Sequence, residues 1–176
     1  MLKQRLAKNN GFTLIELMVV VALIAIVMGS VVLSVGDGGK LDRLEIETKR
    51  MSALIKLLGE EAILKNKEFA VVIDETEYDF QELDKNNKWK SLEGDAVFHK
   101  RKITDNSIIE MILEDFDVDF EAQKEKEDVK IFLLSSGEMS PFEIKIKDVE
   151  TEAYFMITGS MVGALKIEGP FQPNQD

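Results

Sequence analysis

The chain has no cysteine, so neither a disulfide nor a thiolate metal site is available to it. That absence fits an oxidising compartment and a reducing one equally well. Histidine is nearly absent too: His99 stands alone, between Phe98 and Lys100, the placement of a surface or half-buried residue rather than a catalytic one. Basic residues are few, 22 against 33 acidic, for a net charge of −11. Lys3, Arg5 and Lys8 sit in the first eleven residues, which hold no acid, so residues 12–176 carry −14, from 19 basic and 33 acidic groups. Such an acidic body repels nucleic acid and anionic surfaces. There is no phosphate-binding loop and no clustered metal-ligand spacing. Gly159-Ser160-Met161-Val162-Gly163 is not a nucleophile elbow, because the serine directly follows the glycine; it reads as a hairpin turn. No internal repeat or low-complexity linker occurs. These gaps leave no enzyme chemistry and no cofactor to expect.

The sequence does contain a long apolar run. From Leu17 to Val35 no residue is charged. Counted from Phe12, the run would be about 36 Å long as a helix, enough to cross a bilayer core of roughly 30 Å. A buried core helix would have to be wrapped on every side by a small acidic domain. A cleaved secretory signal needs a shorter core followed by a small-residue cleavage site, and no convincing site follows here. With Lys3, Arg5 and Lys8 before the run and Asp37, Asp42 and Glu45 after it, the N-terminus is expected to stay cytoplasmic and residues from about 36 onward to be exported.

One carboxylate, Glu16, stands at the start of this run. Thr13 and Glu16 have the spacing of a capping box, which satisfies free amides at a helix start, and a carboxylate there suits the helix dipole. An ionisable group at membrane depth costs roughly 2.5–3.5 kcal/mol on insertion scales and usually marks function. The stretch Gly11-Phe12-Thr13-Leu14-Ile15-Glu16 resembles the processing site of type IV prepilins and type II secretion pseudopilins. The resemblance implies that a prepilin peptidase removes residues 1–11 after Gly11, and that Phe12, the new N-terminus, is N-methylated. It also implies that Glu16 pairs with the freed amine of a neighbouring subunit; capping and pairing are compatible.

Beyond Gly36, Gly38 and Gly39, where the helix is expected to bend or fray, an apolar stripe resumes. Leu41, Leu44, Thr48, Met51, Ile55, Leu58 and Ala62 step alternately by three and four, backed by Leu54, Leu57 and Ile63. The stripe predicts an amphipathic helix over residues 41–65 that continues the first helix and packs on its own domain. From Glu68 onward the period shortens to two. Strands are predicted at Phe69–Ile73, Tyr78–Leu83, Trp89–Leu92, Val118–Glu121, Val129–Leu134, Phe142–Ile146, Ala153–Ile157 and Gly163–Ile167, separated by turn residues. Ile108–Glu114 fits a strand or a short helix. The expected fold is α+β: one long N-terminal helix, half transmembrane and half amphipathic, packed on an antiparallel β domain of two sheets, a sandwich. The divisions are a leader (1–11), a membrane or filament-core helix (12–35), an amphipathic helix (36–67), a β-sheet domain (68–168) and a loosely ordered tail (169–176).

The run Glu114-Asp115-Phe116-Asp117-Val118-Asp119-Phe120-Glu121 mimics the start of a calcium loop through Asp115, Asp117 and Asp119. Phe116, Val118 and Phe120 fill the gaps, and no glycine and distal glutamate follow. A half-buried strand, aromatics inward and acids outward, explains the alternation, and no metal is expected.

Within the pilin-like superfamily, Trp89 through Leu92 and Asp95 to Phe98, with Ser136-Gly137-Glu138-Met139-Ser140-Pro141-Phe142, resembles the H-type minor pseudopilin of type II secretion. The resemblance implies a structural subunit of a periplasmic pseudopilus, near its tip, that supports export of folded proteins. Its implied partners are the prepilin peptidase, the other minor pseudopilins of the tip complex, the major pseudopilin, the inner-membrane assembly platform and inner-membrane lipid, with no nucleic acid. The alternative is a minor pilin of a type IV pilus, acting in adhesion, assembly or DNA uptake. DNA capture would need a basic groove, and outside the leader Lys100-Arg101-Lys102 is the one basic cluster.

Overall fold

The computed structural model describes residues 14–113, 116–118 and 129–173, without the side chains of residues 25–38 and 116–117. The chain divides into two compact units, Met1–Gly39 and Lys40–Asp176. Helix α1, Leu14–Lys65, contributes to both. The fraying expected at Gly36, Gly38 and Gly39 does not occur, because the helix is unbroken across them. Glycine costs about 1 kcal/mol per site relative to alanine, but extending an existing helix is far cheaper than nucleating a new one. At the other end Asn66 adopts a left-handed φ of 51°. The Lys67 amide donates to Ala62 O at 3.1 Å and the Asn66 amide to Ile63 O at 3.3 Å, the paired bonds of a Schellman cap.

The second unit buries the predicted stripe. Leu44, Thr48, Met51, Leu54, Ile55, Leu58 and Ala62 are all buried, while Leu41 is half-buried. Leu57 and Ile63, expected to back the stripe, are exposed, so the covered face is narrower than the hydrophobic one. Thr48, the polar residue in the stripe, donates its hydroxyl to Leu44 O at 2.8 Å. Ion pairs along the outer side, Glu45–Lys49 at 2.6 Å, Glu47–Arg50 at 2.9 Å and Glu61–Lys65 at 2.6 Å, keep that face in water.

The strands are β1 (Phe69–Ile73), β2 (Glu77–Leu83), β3 (Trp89–Ser91), β4 (Arg101–Lys102), β5 (Ser107–Leu113), β6 (Phe116–Asp117), β7 (Val129–Leu133), β8 (Phe142–Asp148), β9 (Tyr154–Gly159) and β10 (Leu165–Phe171). Among the described residues they form two antiparallel sheets. The first runs β3-β2-β1-β7, with β4 also on β2; the second runs β10-β9-β8-β5-β6. The ambiguous stretch is strand β5, since Ser107, Ile109 and Met111 alternate inward with period two. The acidic run pairs earlier than expected: β6 places Phe116 opposite Leu113 and Asp117 opposite Ile112. Of the predicted strand Val118–Glu121, Val118 follows β6 and residues 119–121 lie outside the described ones. The tail read as loosely ordered is strand as far as Phe171, which lies opposite Tyr154 in the ladder and stacks on its ring at 4.9 Å.

The buried stripe of α1 and the inner faces of both sheets form one contiguous core. Gly59 of the helix approaches Leu133 of β7, so that a Cβ there would sit 3.7 Å from Leu133 Cδ2. Since Leu133 pairs with Phe69, α1 lies on the Phe69-Val71-Ile73 face of the first sheet. Within the second sheet, Phe142 pairs with Gly159, and its ring edge occupies the space that a Cβ at Gly159 would need.

Candidate assembly site

The sequence pattern around Glu16 maps to the first turn of α1. Leu14, Ile15, Leu17, Met18, Val19, Val20, Val21, Leu23 and Ile24 are all exposed, Leu14 by 79%. A helix apolar all round belongs inside a larger core or a membrane, so this segment, with one carboxylate in it, needs apolar surroundings that the chain does not supply among its described residues. Gly11, Phe12 and Thr13 lie outside those residues, as does the leader. Among the described residues no helix is long and apolar enough to cross a membrane; of the expected span, residues 12–35, residues 12–13 and the side chains of 25–35 lie outside that description.

Elsewhere the charged groups serve local structure. Asp84 closes the β2–β3 turn: its Oδ1 accepts from the amides of Asn86 at 2.7 Å and Lys88 at 2.9 Å, and Lys90 lies 2.9 Å from Oδ2. Lys90 first, and then those amides, hold its carboxyl down to about 2. Asp148, buried at the β8–β9 turn, accepts from the Thr151 amide and hydroxyl, both at 2.8 Å. Burial opposes its ionisation, yet these bonds outweigh it and lower its pKa. Close by, Glu150 forms an ion pair with Lys40 of α1. The Tyr78 phenol is pushed up to about 12 by burial and then by Glu47, and its hydroxyl is buried without a hydrogen-bond partner among the described residues. His99 is half-buried. Of the acidic run, Asp115 and Asp119 lie outside the described residues; Asp117 is in β6 with its side chain outside them. No group of three metal-binding side chains occurs among the described residues.

Residues 6–32 match the prokaryotic N-terminal methylation motif. The type II secretion system protein H of Pseudomonas aeruginosa is 30% identical to this chain over 146 residues, covering 80% of this chain and 84% of that protein. The chain belongs to the type II secretion system protein H family. The protein H of Aeromonas hydrophila is 26% identical over 161 residues, with 86% of this chain and 87% of that one covered. The minor pseudopilin EpsH of the Vibrio cholerae type 2 secretion system shares the fold, with a TM-score of 0.61 at 23% identity over 74% of this chain and 99% of that one. GspH of E. coli does so with a TM-score of 0.58 at 15% identity, over 76% and 92%.

In this H-family minor pseudopilin, several residues behind the second resemblance have structural tasks. Leu92 donates its amide to Phe80 O at 2.8 Å. Asp95 Oδ1 accepts from the amides of Val97 at 2.7 Å and Phe98 at 2.9 Å, which lowers its pKa and turns the loop so that Phe98 meets Phe80, ring centroids 5.5 Å apart. Gly137, at a φ of +90°, closes a turn through its amide to Leu134 O at 2.9 Å. Trp89 reaches across its sheet to Phe132, centroids 5.5 Å apart. Sequence reasoning missed that contact and the Lys40–Glu150 pair, because both join residues far apart in the chain.

Proposed function

We propose that this H-family chain is a structural, non-enzymatic subunit of a periplasmic type II secretion pseudopilus. It sits near the tip, between the other minor pseudopilins and the major pseudopilin, and supports export of folded proteins. The exposed apolar start of α1 with Glu16 in its first turn carries this reading. Before assembly the segment spans the inner membrane, N-terminus cytoplasmic and C-terminal domain periplasmic. A prepilin peptidase cuts after Gly11, and Phe12 becomes the N-methylated terminus. With the inner-membrane assembly platform, the helix then leaves the lipid for the filament core. There Glu16 meets the Phe12 amine of an adjacent subunit. Two opposite charges, each costly in an apolar core, are tolerated there as a hydrogen-bonded pair. The outermost position is disfavoured, since a subunit with nothing ahead of it offers Glu16 no amine.

Glu16→Ala tests this. The variant should be cut after Gly11 and inserted, by mass spectrometry of the mature chain, yet fail to co-purify with the other pseudopilins and fail to restore export to a strain lacking this gene. Normal assembly and export by Glu16→Ala would reduce Glu16 to a helix cap. An intact Met1 terminus in cells with active peptidase would remove the processing step.

A further inference from the structure

The outer face of the second sheet carries a cavity of 360 Å³, within the range of about 300–1,000 Å³ that small-ligand sites occupy. Phe142, Ile144 and Ile146 of β8 are buried in the core, so Lys145 and Lys147 point away from it. Tyr154 of β9 stands beside Lys147 in the ladder. Phe171 of β10 stands beside Tyr154 in turn and stacks on its ring. Glu110 of β5 lies directly opposite Lys145. Glu152, from the β8–β9 turn, completes the rim. Three strands, a turn and the last described residues of the chain thus bring two lysines, two glutamates and an aromatic pair to one place.

The charges around this cavity cancel and interleave. Lys147 Nζ stands 3.5 Å from Glu152 Oε1 and 3.9 Å from Glu110 Oε1, longer than a hydrogen bond of about 2.7–3.2 Å. The three groups therefore line the cavity without closing on one another. Lys145, though opposite Glu110, lies over the Tyr154 ring, its Nζ 5.7 Å from the centre. By contrast Lys166 and Glu168 of β10 close to 2.7 Å. A simple anion would meet two carboxylates here and a cation two ammonium groups, so the site selects neither. A zwitterion needs its poles met separately, whereas Glu152, Lys147 and Glu110 alternate. A hydroxyl group is one donor and two acceptors, so neighbouring hydroxyls on one ring match carboxylates and ammonium groups in alternation. The aromatic pair, with Phe171 37% exposed, gives the CH groups of such a ring an apolar surface.

We propose that this cavity binds a neutral, polyhydroxylated ring, a sugar unit of a glycan. The CH face of the ring lies on the Tyr154–Phe171 pair. Adjacent hydroxyls bridge Lys147 to Glu110 and to Glu152, and Lys145 donates to a further ring oxygen. The inference goes beyond the filament reading and does not depend on it. The test is a titration of the isotope-labelled full chain, followed by amide NMR shifts, in a polyoxyethylene detergent, which carries no sugar. The probes are tri-N-acetylchitotriose and maltotriose, with phosphorylcholine as a zwitterion and inorganic phosphate as an anion. At least one sugar should shift the amides of Lys145, Lys147, Tyr154 and Phe171 saturably, and the two ionic probes should not. Glu110→Gln with Lys147→Met should weaken that sugar at least fivefold with the circular dichroism unchanged. Glu152→Gln, at an exposed turn position, should weaken it too, and decides the matter should the double variant misfold. Co-sedimentation with insoluble chitin separates the sources of the sugar. Retention that the free trisaccharide competes away supports a polymeric glycan, and saturable shifts without retention support a free sugar; both uphold the site. The proposal is overturned if neither sugar shifts these amides, or if phosphate or phosphorylcholine shifts them as much. A sugar affinity indifferent to the variants would also overturn it.

Discussion

Replacing Gly159 by alanine should destabilise the β domain by overpacking its second sheet. A Cβ at this position would lie 2.2 Å from Phe142 Cε1 and 2.7 Å from both Cδ1 and Cζ. Ordinary carbon contacts begin near 3.5 Å, so the ring must retreat by more than 1 Å. It has nowhere to go, because Phe142 is 3% exposed and closed in by the core. Overpacking of this kind costs about 1–3 kcal/mol, and more where the backbone must shift. For a unit of this size that corresponds to a fall in Tm of roughly 3–12 °C. Urea unfolding of the detergent-solubilised chain, followed by fluorescence of the single tryptophan and by circular dichroism, would measure it. Phe142→Leu removes the clashing ring edge at the cost of a small cavity. The double variant should therefore be more stable than the sum of the two single losses, by about 1 kcal/mol or more. If Gly159→Ala stayed within about 0.5 kcal/mol of the parent, or if the two losses simply added, the ring-on-glycine contact would not be what fixes this β8–β9 pairing.

Two further outcomes follow from buried polar groups in the same unit. Tyr78 has a folded-state pKa raised from 10.0 to about 12, so the folded state holds its proton more tightly. That stability is fully present below pH 10 and is lost as pH rises from 10 to 12, by about 2–3 kcal/mol at most; Tyr78→Phe should flatten the alkaline limb of a stability–pH curve. Thr48→Val, a nearly isosteric change at a fully buried position, should cost less than about 1 kcal/mol or stabilise, because Leu44 O loses a second donor while its helix bond remains; a loss above about 2 kcal/mol in chemical denaturation would contradict this.

Much of this protein can be read along the chain because the signals are local. The amphipathic half of α1 announces itself by steps of three and four, and the strands by a period of two. The Gly11-to-Glu16 stretch and the charge-free run behind it are contiguous along the chain, so the candidate assembly site can be read from the sequence. Ile108–Glu114 was not, because a short apolar run satisfies either period until a neighbour supplies hydrogen bonds, and here β8 does. Leu57 and Ile63 have the right chemistry for burial, yet both stay exposed, because what packs on a helix decides how much of its apolar face is covered. Sheet order, the closure of β10 onto β9 through Tyr154 and Phe171, the seat of Phe142 on Gly159 and the Trp89–Phe132 slab all depend on register between strands distant in sequence. Burial patterns alone constrain register to odd or even; the pairing itself is chosen by core packing between distant segments. Local periodicity therefore determined the elements of this protein, and three-dimensional packing decided which of their faces are covered and which remain open.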